Sequence, residues 1–323
     1  MTKLTDTAIL LAGKSHPHVN ERVKREFRAI ELGAGGVASL DEATRRTIRG
    51  AAVMTRVDAA FVDALPALEI VASFGVGYDL VDANYCASRN VVVTNTPDVL
   101  SEEVADTALG LLINTVRELP RAEAWLREGR WKKDGAYPLT PATLRGRHAG
   151  IFGLGRIGLA IARRLEALGL KVSYHSRRPV DDVHYQYQPS LKSLAESVDT
   201  LISVVPGGAA TEKVVNAEVL KALGPDGIFI NIGRGSTVDE PALIDALARG
   251  SIRAAGLDVF ADEPNVPDAL LALPNVCLLP HVGSSTQHTR QAMADLVVDN
   301  LGSWFEKGQA ITPVPETAGL ERK

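Results

Sequence analysis

Ten short apolar runs, alternating with stretches of helical periodicity, constrain this chain more than any other feature. Four lie near the start: Ala8-Ile9-Leu10-Leu11, Ala51-Ala52-Val53-Met54, Ile70-Val71-Ala72 and Val91-Val92-Val93. Stretches rich in Ala, Arg and Glu separate them. Parallel strands need crossover helices, so this alternation predicts a parallel sheet covered on both faces. The series breaks at Ser101–Arg117, SEEVADTALGLLINTVR, which reads as one long helix with acids in its first turn. Leu109, Leu111, Leu112, Ile113 and Val116 leave that helix apolar around much of its circumference. Such a helix is expected to be buried between domains or against a second subunit.

A second series opens at Ala149-Gly150-Ile151-Phe152 and continues through Lys171-Val172-Ser173-Tyr174, Thr200-Leu201-Ile202-Ser203 and Gly227-Ile228-Phe229-Ile230. Ala254-Ala255-Gly256-Leu257 and Val276-Cys277-Leu278-Leu279 close it. Two doubly wound α/β domains follow from this, with a boundary near Asn95-Thr96-Pro97, where Pro97 keeps Thr96 out of the helical region. A final helix is predicted from about Gln287 to Glu306. The length of 323 residues suits two domains, and 46% hydrophobic with 23% charged residues excludes a disordered chain. A net charge of −4 offers no basic field for a nucleic-acid backbone, so no nucleic-acid partner is expected. No run approaches the ~20 apolar residues of a membrane helix, and the first residues lack a signal-peptide pattern. Cys86 and Cys277 form no CxxC pair, so neither a metal site nor a disulfide framework is expected. These features predict a soluble, cytoplasmic protein with no membrane partner.

Gly153-Leu154-Gly155-Arg156-Ile157-Gly158 is a GxGxxG placed between a strand and an apolar-periodic helix. In that context the first glycine allows a tight turn and the second lets a pyrophosphate approach the backbone. The third lets helix and strand pack closely. An NAD site would place Asp or Glu at the end of the next strand, on the ribose 2′-hydroxyl. Here that strand ends in Ser176-Arg177-Arg178, with no acid before Asp181. A hydroxyl and two guanidiniums suit a 2′-phosphate, so NADPH/NADP is the expected cofactor.

Three further motifs follow later strands: Ile230-Asn231-Ile232-Gly233-Arg234-Gly235, Gly256-Leu257-Asp258-Val259-Phe260-Ala261-Asp262-Glu263-Pro264 and Pro280-His281-Val282-Gly283-Ser284-Ser285. The carboxyl ends of strands in a doubly wound sheet converge on one crevice. Hydride transfer to a keto acid needs a cation for the carboxylate, a proton donor, and a group that orients the donor. Arg234, His281 and Glu263 supply these, although Asp258 and Asp262 compete with Glu263 by spacing alone. A carboxylate beside a histidine favours the imidazolium, which suits an acid working near neutral pH.

In this order, GLGRIG, NIGRG, GLDVFADEP and HVGSST resemble the D-isomer-specific 2-hydroxyacid dehydrogenases, as do Ser73-Phe74-Gly75-Val76-Gly77-Tyr78-Asp79 and Asn95-Thr96-Pro97. Within that family the chain looks most similar to NADPH-dependent glyoxylate/hydroxypyruvate reductases, including the hydroxyphenylpyruvate-reducing branch. The resemblance implies a flavodoxin-like substrate domain, residues 1–99 with 286–323, and a Rossmann cofactor domain inserted at 100–285. It implies Arg234 as substrate-binding electrostatic catalyst, Glu263 as orienting carboxylate and His281 as general acid. Val76 and Gly77 would offer backbone N–H groups to the substrate carboxylate, with the Ser284 hydroxyl near the substrate. Leu154, Arg156 and Ile157 would meet the pyrophosphate, Asp258 the nicotinamide carboxamide, and Ile232 would also touch the cofactor. Val205, Pro206 and Thr211 would border the adenosine half, and Thr107 the cofactor's centre. A homodimer built on cofactor domains is also implied, with Trp131 or Tyr137 as the aromatic that a partner subunit would borrow. Two alternatives stay open: an NAD-linked dehydrogenase of the lactate or phosphoglycerate type, and a dinucleotide-sensing binder like the corepressors of this fold.

Overall fold

Every strand pairing within the two sheets is parallel, so each strand must be followed by a crossover rather than a hairpin. The computed structural model describes residues 4–322. They gather into two units, one running to Leu100 and resuming at Thr286, the other spanning Ser101–Ser285. The first unit holds β1 (Ala8–Gly13), β2 (Arg28–Glu31), β3 (Ile48–Met54), β4 (Ile70–Ser73) and β5 (Val92–Thr94) in the order β2-β1-β3-β4-β5. That is the flavodoxin order. The second holds β6 (His148–Phe152), β7 (Lys171–His175), β8 (Gln186–Tyr187), β9 (Thr200–Ser203), β10 (Ile228–Asn231), β11 (Ala254–Leu257) and β12 (Val276–Leu278). Their order, β12-β11-β10-β9-β6-β7-β8, is the Rossmann arrangement with one further strand. The expected pair of doubly wound parallel sheets is therefore present.

Strands β4, β9, β10 and β11 are buried along their whole length, which is why they read as unbroken apolar runs. The two strands absent from the sequence reading, β2 and β8, are sheet edges whose residues are half-buried or exposed. Arg28 and Glu31 on one and Gln186 on the other keep those edges polar. The C-terminal helix spans Gln287–Lys307, begins with Thr286 accepting a hydrogen bond from Thr289 N, and ends on Gly308 at φ 76°. It packs Val297, Val298, Leu301 and Trp304 against Ile9, Ile70 and Val92 of the first unit.

The Ser101–Arg117 helix forms as predicted, and its buried side chains are covered within its own unit. It lies across β10, β11 and β12 and against the Arg156–Ala167 helix, all within its own unit. Leu111, Leu112 and Val116 are buried there. At Gly256 in β11 a Cβ would stand 2.8 Å from Leu111 Cγ, so the glycine lets helix and sheet meet closely. The helix covers one face of a parallel sheet, which accounts for its buried side chains, while Leu109 and Ile113 stay half-buried. Among the described residues no helix is long and apolar enough to cross a membrane.

Truncating Leu112 to alanine removes fully buried methyl groups and should cost about 2–5 kcal/mol of stability. Because Leu112 is buried inside its own unit, the fall in thermal midpoint relative to the parent protein should be the same at every protein concentration. A penalty that grows on dilution would place Leu112 at an interface between copies.

Candidate active site

The β6-to-helix turn is built around glycines with different duties. Gly153 adopts φ +103°, and a Cβ there would sit 2.8 Å from Val205 Cγ1. Gly155 precedes the Arg156–Ala167 helix as its N-cap without any side-chain hydrogen bond, and the space where its Cβ would lie is open. At Gly158 a Cβ would overlap the Gly153 carbonyl, so helix and turn touch backbone to backbone. Open space over uncapped N–H groups at a helix start fits the pyrophosphate of a dinucleotide. Leu154 is buried beneath this turn. Pro206 follows Val205 after β9, and its carbonyl accepts from Thr211 Oγ1 at 2.7 Å, closing that loop.

Next to it, β7 ends in His175 and leads into Ser176-Arg177-Arg178. Gly153 N donates to His175 O at 2.9 Å, which ties this turn to the glycine turn. Ser176 Oγ donates to Arg178 O at 2.7 Å. Both arginines are exposed, and among the described residues neither forms an ion pair, so two cations stand available at the end of β7. No carboxylate occupies the strand end, which suits a 2′-phosphate rather than a ribose hydroxyl.

Beyond β10, Arg234 sits on a loop that is braced from behind. Asn231 Nδ2 donates to Arg234 O at 3.0 Å, Thr237 Oγ1 donates to the same carbonyl at 2.7 Å, and Gly233 N donates to Asn231 Oδ1 at 3.1 Å. At Gly235 a Cβ would overlap the Phe260 carbonyl. The close backbone approach expected of these glycines is thus against the β11 loop at Gly235 and against the Val204–Val205 backbone at Gly233. Thr237 escaped the sequence reading, and Asn231, which ends its strand inside the NIGRG motif, was given no role there. Glu240 escaped it too: its Oε2 accepts from Ala261 N at 3.2 Å and steadies the loop that carries Glu263.

His281 Nδ1 lies 2.6 Å from Glu263 Oε2. An ionised carboxylate only accepts, so Nδ1 carries the hydrogen and Nε2 is left for other work. The other oxygen of Glu263 accepts from Phe260 N at 3.0 Å. Burial alone would raise the Glu263 carboxyl, but the hydrogen bonds from His281 and Phe260 and the charges of His281 and Arg234 hold it below its ordinary range. Arg234, Glu263 and His281 are therefore brought within electrostatic reach of one another at the ends of three adjacent strands.

Asp258 plays a different part. It is buried, and its carboxylate accepts from Val282 N at 2.7 Å and Gly283 N at 2.9 Å. Burial pushes its carboxyl up in spite of those bonds. His281 N donates to Asp258 O at 2.9 Å and holds His281 at φ 52°, a region that costs a non-glycine residue of order 1–3 kcal/mol. Thr107 Oγ1 donates to Gly283 O at 3.2 Å, and Ile232 Cδ1 lies 3.6 Å from where a Gly283 Cβ would be. Thr107, Ile232 and Asp258 thus converge on the segment just after His281. Ser284 is half-buried in the following turn.

In the first unit, Val76 and Gly77 lie on the loop after β4. Val76 O accepts from Asn95 Nδ2 at 2.7 Å, and Gly75, at φ +145°, accepts from Thr96 N at 2.9 Å. Of the two aromatics between Trp131 and Tyr137, the tyrosine is engaged within its own chain. Its hydroxyl donates to Glu118 Oε2 at 2.7 Å and its ring stands edge-on to Trp125 at 5.6 Å. Trp131 is 63% exposed.

The family described as D-isomer specific 2-hydroxyacid dehydrogenase, NAD binding domain, matches residues 109–283. The fold is similar to the NADPH-dependent glyoxylate/hydroxypyruvate reductase of Sinorhizobium meliloti in complex with NADP and malonate, with a TM-score of 0.95, 57% identity and 98% of each chain covered. In sequence the chain is 46% identical to glyoxylate/hydroxypyruvate reductase A of Arabidopsis thaliana, over 95% of this chain and 98% of that one. It is 49% identical to hydroxyphenylpyruvate reductase of Plectranthus scutellarioides, over 80% of this chain and 82% of the other. With the family match over more than half of the chain and these identities over most of it, the chain belongs to the D-isomer-specific 2-hydroxyacid dehydrogenase family.

Proposed function

We propose that this protein is an NADPH-dependent reductase of small 2-keto acids, glyoxylate and hydroxypyruvate among them. The observation that carries this reading is the His281–Glu263 pair at 2.6 Å, with Arg234 acting electrostatically on the same carboxylate. The S. meliloti and A. thaliana relatives bear the same activity in their names, which supports the assignment. The Ser101–Ser285 unit serves as the cofactor domain and the other unit as the substrate domain. Gly153, Leu154, Gly155, Arg156, Ile157 and Gly158 would hold the pyrophosphate, and Ser176, Arg177 and Arg178 the 2′-phosphate. Val205, Pro206 and Thr211 would border the adenosine, with Thr107, Ile232 and Asp258 toward the nicotinamide. The exposed arginines where an NAD enzyme needs a carboxylate speak against the lactate or phosphoglycerate type.

NADPH, when bound, supplies the hydride. The chain's own residues do the rest. Arg234 attracts the substrate's carboxylate and stabilises charge on the keto oxygen. The Val76 and Gly77 N–H groups take the carboxylate, and the Ser284 hydroxyl adds a polar contact. Protonated His281 delivers the Nε2 proton to the keto oxygen as charge develops there, while Glu263 fixes the ring through Nδ1–H. Asp258 keeps the His281 backbone in its left-handed conformation. We further infer a cytoplasmic homodimer. Both cysteines are free and buried, as a reducing compartment favours. Trp131 at 63% and Leu139 at 98% exposure mark one segment that a second copy would cover.

Initial rates with glyoxylate and hydroxypyruvate should be far higher with NADPH than with NADH. His281→Ala should lower kcat by roughly a hundred- to ten-thousandfold while cofactor Kd stays unchanged; an undiminished kcat removes His281 as the acid.

The pH dependence has a definite sign. A carboxyl held below its ordinary range stays ionised as pH falls, so Glu263 keeps orienting His281 where a free glutamate begins to protonate. Saturated reduction rates should therefore not decline between pH 7 and about 4. A decline centred in that interval would show Glu263 titrating at or above the ordinary value.

A further inference from the structure

The turn that carries Arg177 and Arg178 is held in place by side chains of the strands that flank it. β8, its downstream support, is a two-residue strand at the edge of the sheet, a weak anchor by itself. Three other bonds hold the turn. The hydroxyl of Tyr174, whose side chain is buried in β7, accepts from Val180 N at 2.9 Å, across the base of the turn. Tyr187 Oη donates to Ser176 O at 3.5 Å. His175 Nδ1–H donates to Gln188 O at 2.9 Å, joining the strand end to the residue after β8.

With Phe152, the rings that bear these groups form a continuous series of ring contacts, stacked at the first pair and tilted at the other two. Phe152 and His175 lie parallel with centroids 5.8 Å apart, His175 and Tyr187 are 6.3 Å apart, and Tyr187 and Tyr174 are 5.5 Å apart. Phe152 is the residue immediately before Gly153. His175 O also accepts the Gly153 N–H. The stack therefore sets the spacing between two turns, one facing a pyrophosphate and the other a 2′-phosphate. A single dinucleotide fixes the distance between those phosphates, so both turns must stand in register before the ligand arrives. Two exposed arginines on a loosely tethered turn would lose that register, and ordering them would be left to the binding event.

We propose that Tyr174 and Tyr187 are positioning residues for the choice of NADPH over NADH, acting through the Arg177–Arg178 turn. The inference rests on the reading that this turn meets the 2′-phosphate. It predicts a selective effect: loosening the turn weakens ligands that carry a 2′-phosphate and spares those that lack one.

The test is titration calorimetry on the full chain with four probes: NADP, NAD, adenosine 2′,5′-bisphosphate and AMP. Tyr174→Phe keeps the ring and removes the acceptor of Val180 N. It should raise Kd for NADP and for the bisphosphate about five- to tenfold and change NAD and AMP less than about twofold. Tyr187→Phe, which loses a longer bond, should give a smaller effect of the same sign. If all four ligands weaken alike, the tyrosines are merely structural and the proposal falls. If none changes, it falls equally. The Arg177→Ser/Arg178→Ser double variant separates this from the underlying reading. If the double variant abolishes the NADP preference and Tyr174→Phe does not, only the positioning role is overturned. If the double variant leaves the preference intact, the 2′-phosphate assignment itself is wrong, and the positioning role with it.

Discussion

A parallel strand pair cannot be closed by a tight turn, and the rest of this structure depends on that constraint. Each strand must return to the same end of the sheet through a crossover, and each crossover leaves from a strand's carboxyl end. In the Ser101–Ser285 unit this places the glycine turn after β6, the arginine turn after β7 and the Val205–Thr211 loop after β9 along one rim. Arg234, Glu263 and His281 come to the same rim after β10, β11 and β12. Residues far apart in sequence become neighbours because they occupy equivalent places in successive crossovers. The requirement that both sheet faces be covered also explains why the Ser101–Arg117 helix is so apolar.

Two carboxylates on one rim end up with opposite tendencies, and their environments decide which does what. Asp258 is almost wholly removed from water, and burial outweighs its two backbone hydrogen bonds. Its bonds to Val282 and Gly283 shape the chain just after His281. Glu263 is partly open, accepts from an imidazole and feels Arg234, so it is held ionised. Spacing alone left Asp258, Asp262 and Glu263 as rivals for the orienting role. Geometry separates them, since only Glu263 is hydrogen-bonded to the His281 ring among the described residues. An acid whose partner must stay charged is better served by the exposed carboxylate than by the buried one.

Motifs whose physics is local were legible in the sequence. A glycine that must avoid a Cβ, a cation between glycines and an absent strand-end acid all announce themselves within a few residues. The buried strands were equally plain, because burial on both faces leaves an unbroken apolar run. What could not be read depended on partners distant in the chain. β2 and β8 have no apolar run, since edge strands are half solvated. The apolar helix could not declare which surface it covers, for a sheet of its own unit and a second subunit ask for the same side chains. Asn231, Thr237 and Glu240 hold backbone groups across loops, and an ordinary polar residue gives no sign of that in sequence. Tyr174 was visible only as one member of a strand; its bond to Val180 exists because the chain bends at Arg177 and Arg178.

Chemistry and cofactor choice are supported by separate frames in the same unit. The proton-donating pair hangs from β11 and β12 and is steadied by Asp258, Thr107 and Glu240. The arginine turn hangs from β7 and β8 and is steadied by an aromatic stack that shares no residue with the first frame. Four strands, β10, β9, β6 and β7, separate β11 from β8 in the sheet. Hydrogen bonds act over contact distances, so a change in one frame leaves the other's geometry intact. The two nevertheless meet at the glycine turn, where Gly153 bonds to His175 on one side and packs against Val205 on the other. That turn is the one element both frames need in place. Three kinds of constraint fall on its few residues, a positive φ, an open cradle and a backbone overlap, whereas the tyrosine frame can vary with the dinucleotide to be chosen.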